Sequence, residues 1–259
     1  MAEPITVSEH KWGMVVDIDR CTGCQACVIA CQSENNQLLS TEDIVQQRRT
    51  MAWIRVERYW EGDFPNMKAR FIPMLCQHCE NAPCEPVCPV YATYHNNEGL
   101  NVQVYNRCVG TRYCAQNCPY HARVFNYWER STDAPWREYF SSAQMVAEPM
   151  NEYLNPDVTV RTKGLMEKCT FCLQRIRRAT RQAKNEDRQV KDGEFTTACA
   201  QACPTSAIVF GDMLDRTSRV AKKLTDARAF HVLEDLGTKP SVTYLKKVDP
   251  NAKPVAMEH

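Results

Sequence analysis

The sequence predicts an α+β protein built from two small units of the same kind, one inserted in the other. Extra loops and a C-terminal helix and tail complete the predicted fold. Two observations support this prediction. The chain of 259 residues contains 15 cysteines in four groups, and its longest apolar runs, such as residues 207–210, have the length of strands. Large aliphatic residues are sparse, so we expect a small apolar core and stability that depends partly on bound metal.

The four cysteine groups have closely related spacings. The first is C-x2-C-x2-C-x3-C, the second C-x2-C-x4-C-x3-C, and the third C-x5-C-x3-C. The fourth is split into C-x2-C and C-x3-C, with 26 residues between the two parts. Proline follows the last cysteine of every group except the first. In chain order the cysteines are Cys21, Cys24, Cys27 and Cys31; Cys76, Cys79, Cys84 and Cys88; Cys108, Cys114 and Cys118; and Cys169, Cys172, Cys199 and Cys203.

This spacing is typical of bacterial ferredoxin sequences. A tight loop presents three thiolates to one iron–sulfur cluster, and a following helix carries a fourth sulfur to a second cluster. Zinc is the alternative, because pairs such as Cys76 and Cys79 suit a tetrahedral site. Four cysteines within eleven residues are too dense for separate zinc ribbons. An odd number of cysteines also fits poorly with a disulfide framework.

The pairing of the groups predicts the domain organisation. In two-cluster ferredoxins each motif lends its last cysteine to the other motif's cluster. The second and third groups lie close together and predict an inserted unit at residues 70–126, with a hairpin over residues 96–105. The first and fourth groups then form an outer unit from residues 10–69 and 164–212. We expect an aromatic loop that faces a partner at residues 127–163, and a C-terminal docking segment at residues 213–259.

The same pairing predicts four ligand sets. One [4Fe–4S] cluster has three thiolates from the first group and one from the fourth. Its neighbour has three thiolates from the fourth group and one from the first. The inserted unit holds a third [4Fe–4S] cluster and a centre with only three thiolates. The sets are Cys21, Cys24, Cys27 and Cys203; Cys169, Cys172, Cys199 and Cys31; Cys76, Cys79, Cys84 and Cys118; and Cys108, Cys114 and Cys88, with iron bound through these sulfurs.

Threonine stands where the third group should have its second cysteine. Thr111 carries a hydroxyl that stays protonated at neutral pH and matches soft iron–sulfur chemistry poorly. We therefore expect a [3Fe–4S] cluster with Thr111 at the vacant corner. The alternative is a cubane with an oxygen or an external ligand at that corner.

Several residues near the cysteine groups are candidates for roles other than binding iron. A basic helix is predicted to start near Cys169, and a solvated helix face accounts for most of its cations. His78 lies inside the second cysteine group and His121 follows the third; either could donate a hydrogen bond to a cluster sulfur, and neither is assigned to a quinone site. The aromatic loop either contacts a partner or covers the small core, and a helix is predicted over Ser218–Leu236. The basic residues are Lys168, Arg175, Arg177, Arg178, Arg181 and Lys184; the aromatic ones are Tyr127, Trp128, Trp136, Tyr139, Phe140 and Tyr153.

Composition and motifs exclude several functions. Lys and Arg (32) balance Asp and Glu (31), so no global charge favours nucleic acid. The sequence has no nucleophile–base constellation, glycine-rich phosphate loop or flavin fingerprint, and we expect no catalytic residues. No apolar run approaches the roughly 18 residues of a transmembrane helix. The first residues show no export signal, so export would depend on a partner that carries one.

The chain resembles the four-cluster ferredoxin subunits of molybdoenzyme-type oxidoreductase complexes, the dimethyl sulfoxide and polysulfide reductase family. The resemblance covers nearly all of residues 10–245 and rests on the four motifs, the sequence Cys-Pro-Tyr at Cys118, and residues 236–241. Two further segments, residues 108–120 with Thr111 and residues 155–169, are similar to a subset of this family. That subset contains the iron–sulfur modules of alternative complex III and of the membrane quinone reductase complex.

The resemblance implies an electron-transfer subunit rather than an enzyme by itself. It implies an NrfD/polysulfide-reductase-type integral membrane quinone-binding subunit and a molybdopterin-oxidoreductase-like subunit as partners, with a multihaem cytochrome c subunit as a further candidate. In those relatives the module faces the periplasm after co-export with a signal-bearing partner, and the cytoplasmic face is the alternative. A free soluble polyferredoxin is the alternative function. A metal-dependent enzyme ranks last, because no substrate-orienting residues accompany the open corner.

Overall fold

The structure is a computed structural model that describes residues 10–128 and 154–248. Most of the predicted aromatic loop, including Trp136, Tyr139, Phe140 and Tyr153, lies outside these residues. Within the described ranges, no helix is long and apolar enough to cross a lipid bilayer.

Short strands and helices are both present along the described residues, which agrees with the predicted α+β class. The strands are β1 (Trp12–Asp17), β2 (Ile54–Glu61), β3 (Lys68–Leu75), β4 (Thr93–His95), β5 (Asn101–Gln103), β6 (Arg123–Phe125), β7 (Met166–Lys168), β8 (Ile208–Asp212), β9 (Ala229–Phe230) and β10 (Val242–Leu245). The α-helices are α1 (Ala26–Glu34), α2 (Glu42–Gln46), α3 (Tyr113–Gln116), α4 (Leu173–Asn185), α5 (Ala198–Gln201) and α6 (Arg219–Leu224).

The largest sheet brings distant parts of the chain together. Its strand order is β8-β1-β10-β9, with β1 antiparallel to β8 and parallel to β10. All six residues of β1 are buried, because the strand has a neighbour on each edge and is covered on both faces. Since β1 precedes the first cysteine group and β8 follows Cys203, both ends of the predicted outer unit meet in this sheet.

The C-terminal segment differs from its prediction. The sequence predicts a helix over Ser218–Leu236, and this prediction is wrong beyond Leu224, where α6 ends. Strand pairing overrides helix propensity there, because Phe230 pairs with Tyr244 of β10 and their rings lie 5.9 Å apart. All four residues of β10 are buried, so this part of the segment is a core strand.

A long hairpin joins the two predicted units. Strands β2 and β3 pair along eight residues each, from Ile54 opposite Leu75 to Glu61 opposite Lys68. The expected boundary between residues 69 and 70 falls inside β3, so no linker separates the units there. Near the tip, the side chains of Trp60 and Phe64 are exposed.

The shorter predicted hairpin is confirmed. Strands β4 and β5 pair antiparallel, with Thr93 opposite Gln103. The side-chain oxygen of Asn96 accepts hydrogen bonds from the backbone N–H groups of Glu98 and Leu100, which stabilises the turn locally. A further antiparallel pair, β6 with β7, connects residues that follow the third cysteine group with residues that precede the fourth.

The core is a layer of rings and aliphatic side chains around the cysteines. Trp12 stacks on Phe210 with ring centroids 5.8 Å apart. Phe210 contacts Phe171 edge-on at 5.4 Å, and Phe171 stacks on His78 at 4.0 Å. These rings connect the main sheet to the loops of the second and fourth cysteine groups, so the sheet holds those loops in place.

Candidate metal centres

Each C-x2-C loop bends in the same way. The residue before the second position of the pair has a positive φ in all four groups: Gly23 (73°), His78 (45°), Gly110 (74°) and Phe171 (53°). This left-handed conformation costs energy for residues with a side chain. It recurs because the chain must reverse sharply to present both positions of the pair to one side.

The loop around Thr111 keeps the backbone of a complete cluster motif. Gly110 has nearly the same φ as Gly23, and Arg112 (63°) nearly the same as Gln25 (61°). Helix α3 begins one residue after Arg112, just as α1 begins one residue after Gln25. Thr111 therefore occupies the position equivalent to Cys24, and its side chain is exposed.

Besides its positive φ, the lack of space for a side chain requires glycine at position 110. A Cβ on Gly110 would overlap the carbonyl oxygen of Gly164, and one on Gly23 would lie 2.5 Å from the ring of Phe71. Both loops pack tightly against another part of the chain. The sequence alone does not reveal these contacts, because Gly164 and Phe71 lie about fifty residues away from them.

Three of the groups end in a repeated turn with the sequence Cys-Pro-x-x-Ala. The backbone N–H of Ala92 donates to Sγ of Cys88 at 3.1 Å, and that of Ala207 to Sγ of Cys203 at 3.2 Å. The third residue after each cysteine has a positive φ, and a strand begins at the fifth. Ala122 stands at the same place after Cys118. This repeat is visible in the sequence and could have predicted these donors.

The last cysteine of the first group accepts hydrogen bonds from side chains and not from such a turn. Cys31 is not followed by proline, and its sulfur accepts hydrogen bonds from the side chains of Gln37 (Nε2 at 3.1 Å) and Asn35 (Nδ2 at 3.5 Å). Both amides are buried. No motif marks these two residues, and sequence reasoning missed them.

The structure brings the thiols together in four sets. Burial raises the pKa of Cys27 to about 11, with further increases from Cys21, Cys203 and Cys24. Burial also raises the pKa of Cys31 well above its usual value, together with Cys169, Cys199 and Cys172. The sets are named as follows: set I is Cys21, Cys24, Cys27 and Cys203; set II is Cys31, Cys169, Cys172 and Cys199; set III is Cys76, Cys79, Cys84 and Cys118; set IV is Cys88, Cys108 and Cys114.

The other two sets are identified in the same way. Burial raises the pKa of Cys79 to about 12, and Cys76, Cys118 and Cys84 raise it further. For Cys114, burial raises the pKa first, and Cys108 and Cys88 are the thiols that add to it. Which of these cysteines bind which cluster stays a prediction from the spacing.

The sets follow one another in a line. Besides burial, Cys27 of set I raises the pKa of Cys199 in set II, and Cys76 of set III raises that of Cys169 in set II. Arg123 interacts with thiols of both set III and set IV. The order is therefore I, II, III, IV.

Only the ends of this line approach the surface. Every cysteine of sets II and III is buried. Cys24 of set I is exposed, and Cys21, Cys203, Cys88 and Cys108 are half-buried. Electrons could therefore enter or leave most directly at sets I and IV.

The geometry fits clusters better than single metal ions. Among the described residues, no three His, Cys, Asp or Glu side chains converge tightly enough to hold one ion. A cube-shaped cluster needs wider spacing, since each thiolate binds a different iron. Backbone N–H groups also donate to cysteine sulfurs, from Phe171 to Cys169 and from Met166 to Cys108, both at 3.4 Å. Such donors stabilise thiolates bound to metal.

The basic residues near Cys169 separate into three kinds. Lys168 is fully buried, unlike the solvated cations with which the sequence grouped it. Arg175 of α4 pairs with Glu34 of α1 at 2.6 Å. The remaining cations, Arg177, Arg178, Arg181 and Lys184, are exposed, as predicted for a solvated helix face.

Comparison with known proteins identifies the family. The 4Fe–4S dicluster domain family matches residues 67–134, which contain the second and third cysteine groups. The chain is 43% identical to the menaquinone reductase iron–sulfur cluster-binding subunit of Nitratidesulfovibrio vulgaris, over 92% of this chain and 89% of that protein. It is 35% identical to the putative dimethyl sulfoxide reductase iron–sulfur subunit of Halobacterium salinarum, over 91% and 79%.

A third relative comes from an archaeon. The Hdr-like menaquinol oxidoreductase iron–sulfur subunit 1 of Archaeoglobus fulgidus is 34% identical over 92% of this chain and 84% of that protein. These relatives span nearly the whole chain, so the match is not limited to the cysteine motifs. The chain belongs to the family of 4Fe–4S iron–sulfur subunits that transfer electrons within molybdoenzyme-type reductase complexes.

Proposed function

We propose that this chain conducts electrons between a membrane quinone-reactive subunit and a redox partner subunit of a respiratory complex. The observation that carries the proposal is the line of four thiol sets whose two ends alone approach the surface. When bound, iron–sulfur clusters accept and release single electrons. The protein's part is to hold the sulfurs in order, to donate hydrogen bonds to them, and to exclude water from sets II and III.

We also propose the cluster count and ligands. Sets I, II and III each hold one [4Fe–4S] cluster through four cysteines, and set IV holds one [3Fe–4S] cluster through Cys88, Cys108 and Cys114. The backbone match between Gly110–Arg112 and Gly23–Gln25 supports this assignment, because it leaves Thr111 at the corner where Cys24 stands in set I. The cubane with an oxygen or external ligand at Thr111 is the alternative.

The arrangement of one ferredoxin-like unit inside another is part of the proposal. The antiparallel pairing of β1 with β8 supports an outer unit closed by its own two ends. The Cys-Pro-x-x-Ala turn, which occurs after Cys88, Cys118 and Cys203, supports a common origin of the two units. Pairing of β6 with β7 and the β2–β3 hairpin hold the units together.

The surface beside set IV is a candidate contact with the membrane subunit. Tyr91, Val109 and Tyr113 each lie within three residues of a set IV cysteine and are 63%, 63% and 57% exposed. Exposed apolar side chains that cluster around a functional centre are typical of partner interfaces. By their names, two of the relatives are subunits of a menaquinone reductase and of a menaquinol oxidoreductase, which supports a quinone-reactive partner. That this partner is of the NrfD/polysulfide-reductase type is what the family resemblance implies.

The other partners follow from the family. We propose a molybdopterin-oxidoreductase-like subunit near set I, where Cys24 is exposed, and a multihaem cytochrome c subunit as a further candidate. The subunit is peripheral on the membrane, at the periplasmic face after co-export with a signal-bearing partner. The cytoplasmic face is the alternative.

Copurification tests this function. The tagged chain is purified anaerobically from membranes in mild detergent, and the accompanying proteins are identified. We expect an integral membrane subunit, and we expect the double variant Val109→Asp/Tyr113→Ser to lose it. Leu214→Ser changes an equally exposed apolar residue away from the cysteine sets and should keep the partner. Recovery of the unaltered chain only as a monomer would instead support a free soluble polyferredoxin.

A further inference from the structure

Two buried cations face each other across the β6–β7 pair. Arg123 is directly opposite Lys168 in the antiparallel register, and their exposed fractions are 6% and 0%. Like charges at opposing positions of a strand pair repel each other. A buried charge without a counterion is also strongly unfavourable. This arrangement therefore requires a source of negative charge nearby.

The carboxylates of the described residues do not provide that charge. The guanidinium of Arg123 donates to Gln103 Oε1 at 2.8 Å, to Asn101 Oδ1 at 2.7 Å and to Thr93 Oγ1 at 2.5 Å, all neutral acceptors. The ammonium of Lys168 donates to the carbonyl of Cys169 at 2.9 Å. Across residues 10–128 and 154–248, neither cation has an Asp or Glu within salt-bridge distance.

The neighbouring buried arginine shows the contrast. Arg161 and Glu167 are both buried, and Nε of Arg161 lies 3.0 Å from Oε2 of Glu167. Glu167 stands next to Lys168 in β7, yet its carboxylate is occupied by Arg161 and by the side chains of Trp53 and Asn126. Within the part of the chain that the structure describes, a carboxylate therefore neutralises Arg161 and none neutralises the Arg123–Lys168 pair.

Among the described residues, the remaining candidates for negative charge are the cysteine sulfurs. Arg123 interacts electrostatically with Cys84, Cys76 and Cys118 of set III and with Cys114 of set IV. Lys168 interacts with Cys84 of set III and directly precedes Cys169 of set II. The pair thus lies at set III, with Arg123 extending toward set IV and Lys168 toward set II.

We propose that Arg123 and Lys168 are positioning residues that supply fixed positive charge to the middle of the cluster line and raise the reduction potentials there. The proposal rests on the ligand sets of the proposed function. A reduced cluster carries one more negative charge than its oxidised form, so a nearby fixed cation favours reduction. Set III gains from both residues, set IV from Arg123 and set II from Lys168, while set I gains from neither.

The β6–β7 pair lies where the two predicted units meet. These strands are three residues long and connect the inserted unit to the outer unit. Their register places one cation from each unit at the junction of three thiol sets. Loss of the negative charge would leave two buried cations in repulsion, so assembly of the junction should depend on the clusters.

Redox titration followed by EPR tests the proposal. The protein is purified anaerobically with whichever partners accompany it, and iron and sulfide are measured for each variant. We expect Arg123→Gln to lower the potentials of the centres in sets III and IV, each by at least a tenfold change in the one-electron equilibrium constant, or 59 mV. Lys168→Met should lower those of sets II and III, and set I should stay unchanged in both.

Two further variants separate charge from structure. Arg123→Lys keeps the charge but loses most of the hydrogen bonds, so it should retain potentials near the original ones. Arg219→Gln removes an exposed cation that pairs with Asp192 and should change nothing. If the Arg123→Gln variant loses iron, the Lys168→Met variant still tests the proposal. Its replacement removes one hydrogen bond, to the carbonyl of Cys169, and so disturbs the structure less.

Three results would overturn the proposal. They are unchanged potentials in Lys168→Met or Arg123→Gln at full iron content, a uniform shift of all four centres, or a shift in Arg123→Lys as large as that in Arg123→Gln. The iron content and EPR signals of the unaltered protein test the ligand sets separately, and copurification tests the partners. A failure of the cation proposal is therefore distinguishable from a failure of the proposed function.

Discussion

The side-chain amide of Gln37 donates a hydrogen bond to Sγ of Cys31, with Nε2 and the sulfur 3.1 Å apart. The same nitrogen donates to the carbonyl of Cys31, and Oε1 accepts from the backbone N–H of Trp53 at 3.0 Å. Gln37 therefore replaces the backbone donor that the Cys-Pro-x-x-Ala turn supplies elsewhere. It also ties the end of α1 to the segment that leads into β2.

Replacing Gln37 by Leu should affect both stability and potential. The variant leaves the buried backbone N–H of Trp53 without its acceptor, which costs about 1–3 kcal/mol in the free energy of unfolding. Loss of the donor at sulfur should lower the potential of the set II centre, since such hydrogen bonds favour the reduced state. Urea unfolding and redox titration measure the two effects. Gln46→Leu, at an exposed helix position, is the control. Equal unfolding free energies and equal set II potentials in the two variants would show that Gln37 has no special role at Cys31.

Gly110→Ala should be more harmful than Gly164→Ala. Both glycines have positive φ, at 74° and 95°, so both variants carry the strain of a left-handed residue. A Cβ at Gly110 would also overlap the carbonyl of Gly164, whereas a Cβ at Gly164 meets nothing within 4 Å. We expect Gly110→Ala to cost about 1–3 kcal/mol more and to lose iron selectively from set IV. Equal unfolding free energies and equal iron contents would show that the overlap has no effect.

Iron removal should begin at the ends of the line. Sets I and IV contain the exposed or half-buried cysteines, while sets II and III are fully buried. An iron chelator added to the oxidised protein should therefore remove the end centres before the middle centres. Samples taken over time are divided and frozen, one half as oxidised protein for the [3Fe–4S] signal and one half after reduction for the [4Fe–4S] signals, and their EPR spectra record this order. Simultaneous loss of all four centres, at any chelator concentration, would indicate that burial does not protect the middle.

Ser218→Ala should weaken the short helix α6. The hydroxyl of Ser218 accepts from the N–H of Ala221 at 3.0 Å and donates to the carbonyl of Asp212 in β8 at 2.7 Å. Loss of this N-cap costs about 1 kcal/mol, which urea unfolding can measure. Thr225→Ala, at the exposed other end of the helix, should be nearly neutral. If the Ser218→Ala variant is as stable as the Thr225→Ala variant, the N-cap at Ser218 does not stabilise the protein.

The features that sequence predicts here are local ones. The hairpin at residues 93–103 follows from its turn residues, and the basic helix after Cys172 follows from its composition. The spacing also predicts the members of the thiol sets, because ferredoxin motifs pair by a fixed rule, and this assignment stays a prediction. The loop geometry at Thr111 is likewise local, since Gly110 and Arg112 repeat the pattern of Gly23 and Gln25.

The features that sequence misses depend on contacts between distant residues. Phe230 forms a strand rather than a helix because β10 is available to pair with it. Lys168 looks like one of a row of solvated cations until β7 pairs with β6 and buries it opposite Arg123. Gln37 is an ordinary polar residue until the fold brings its amide to Cys31. In each case contacts between distant residues determine the structure, and no local sequence pattern indicates them.

The three-sulfur centre at Thr111 is the central claim, and EPR of the oxidised protein tests it most directly. We predict a [3Fe–4S] signal in the fully iron-loaded wild type, and its replacement by a fourth cubane in Thr111→Cys. If this centre is the one nearest the quinone-reactive partner, quinone-linked turnover should also change in the variant, and unchanged turnover would count against that placement. Absence of the oxidised-state [3Fe–4S] signal from intact wild-type protein would contradict the account.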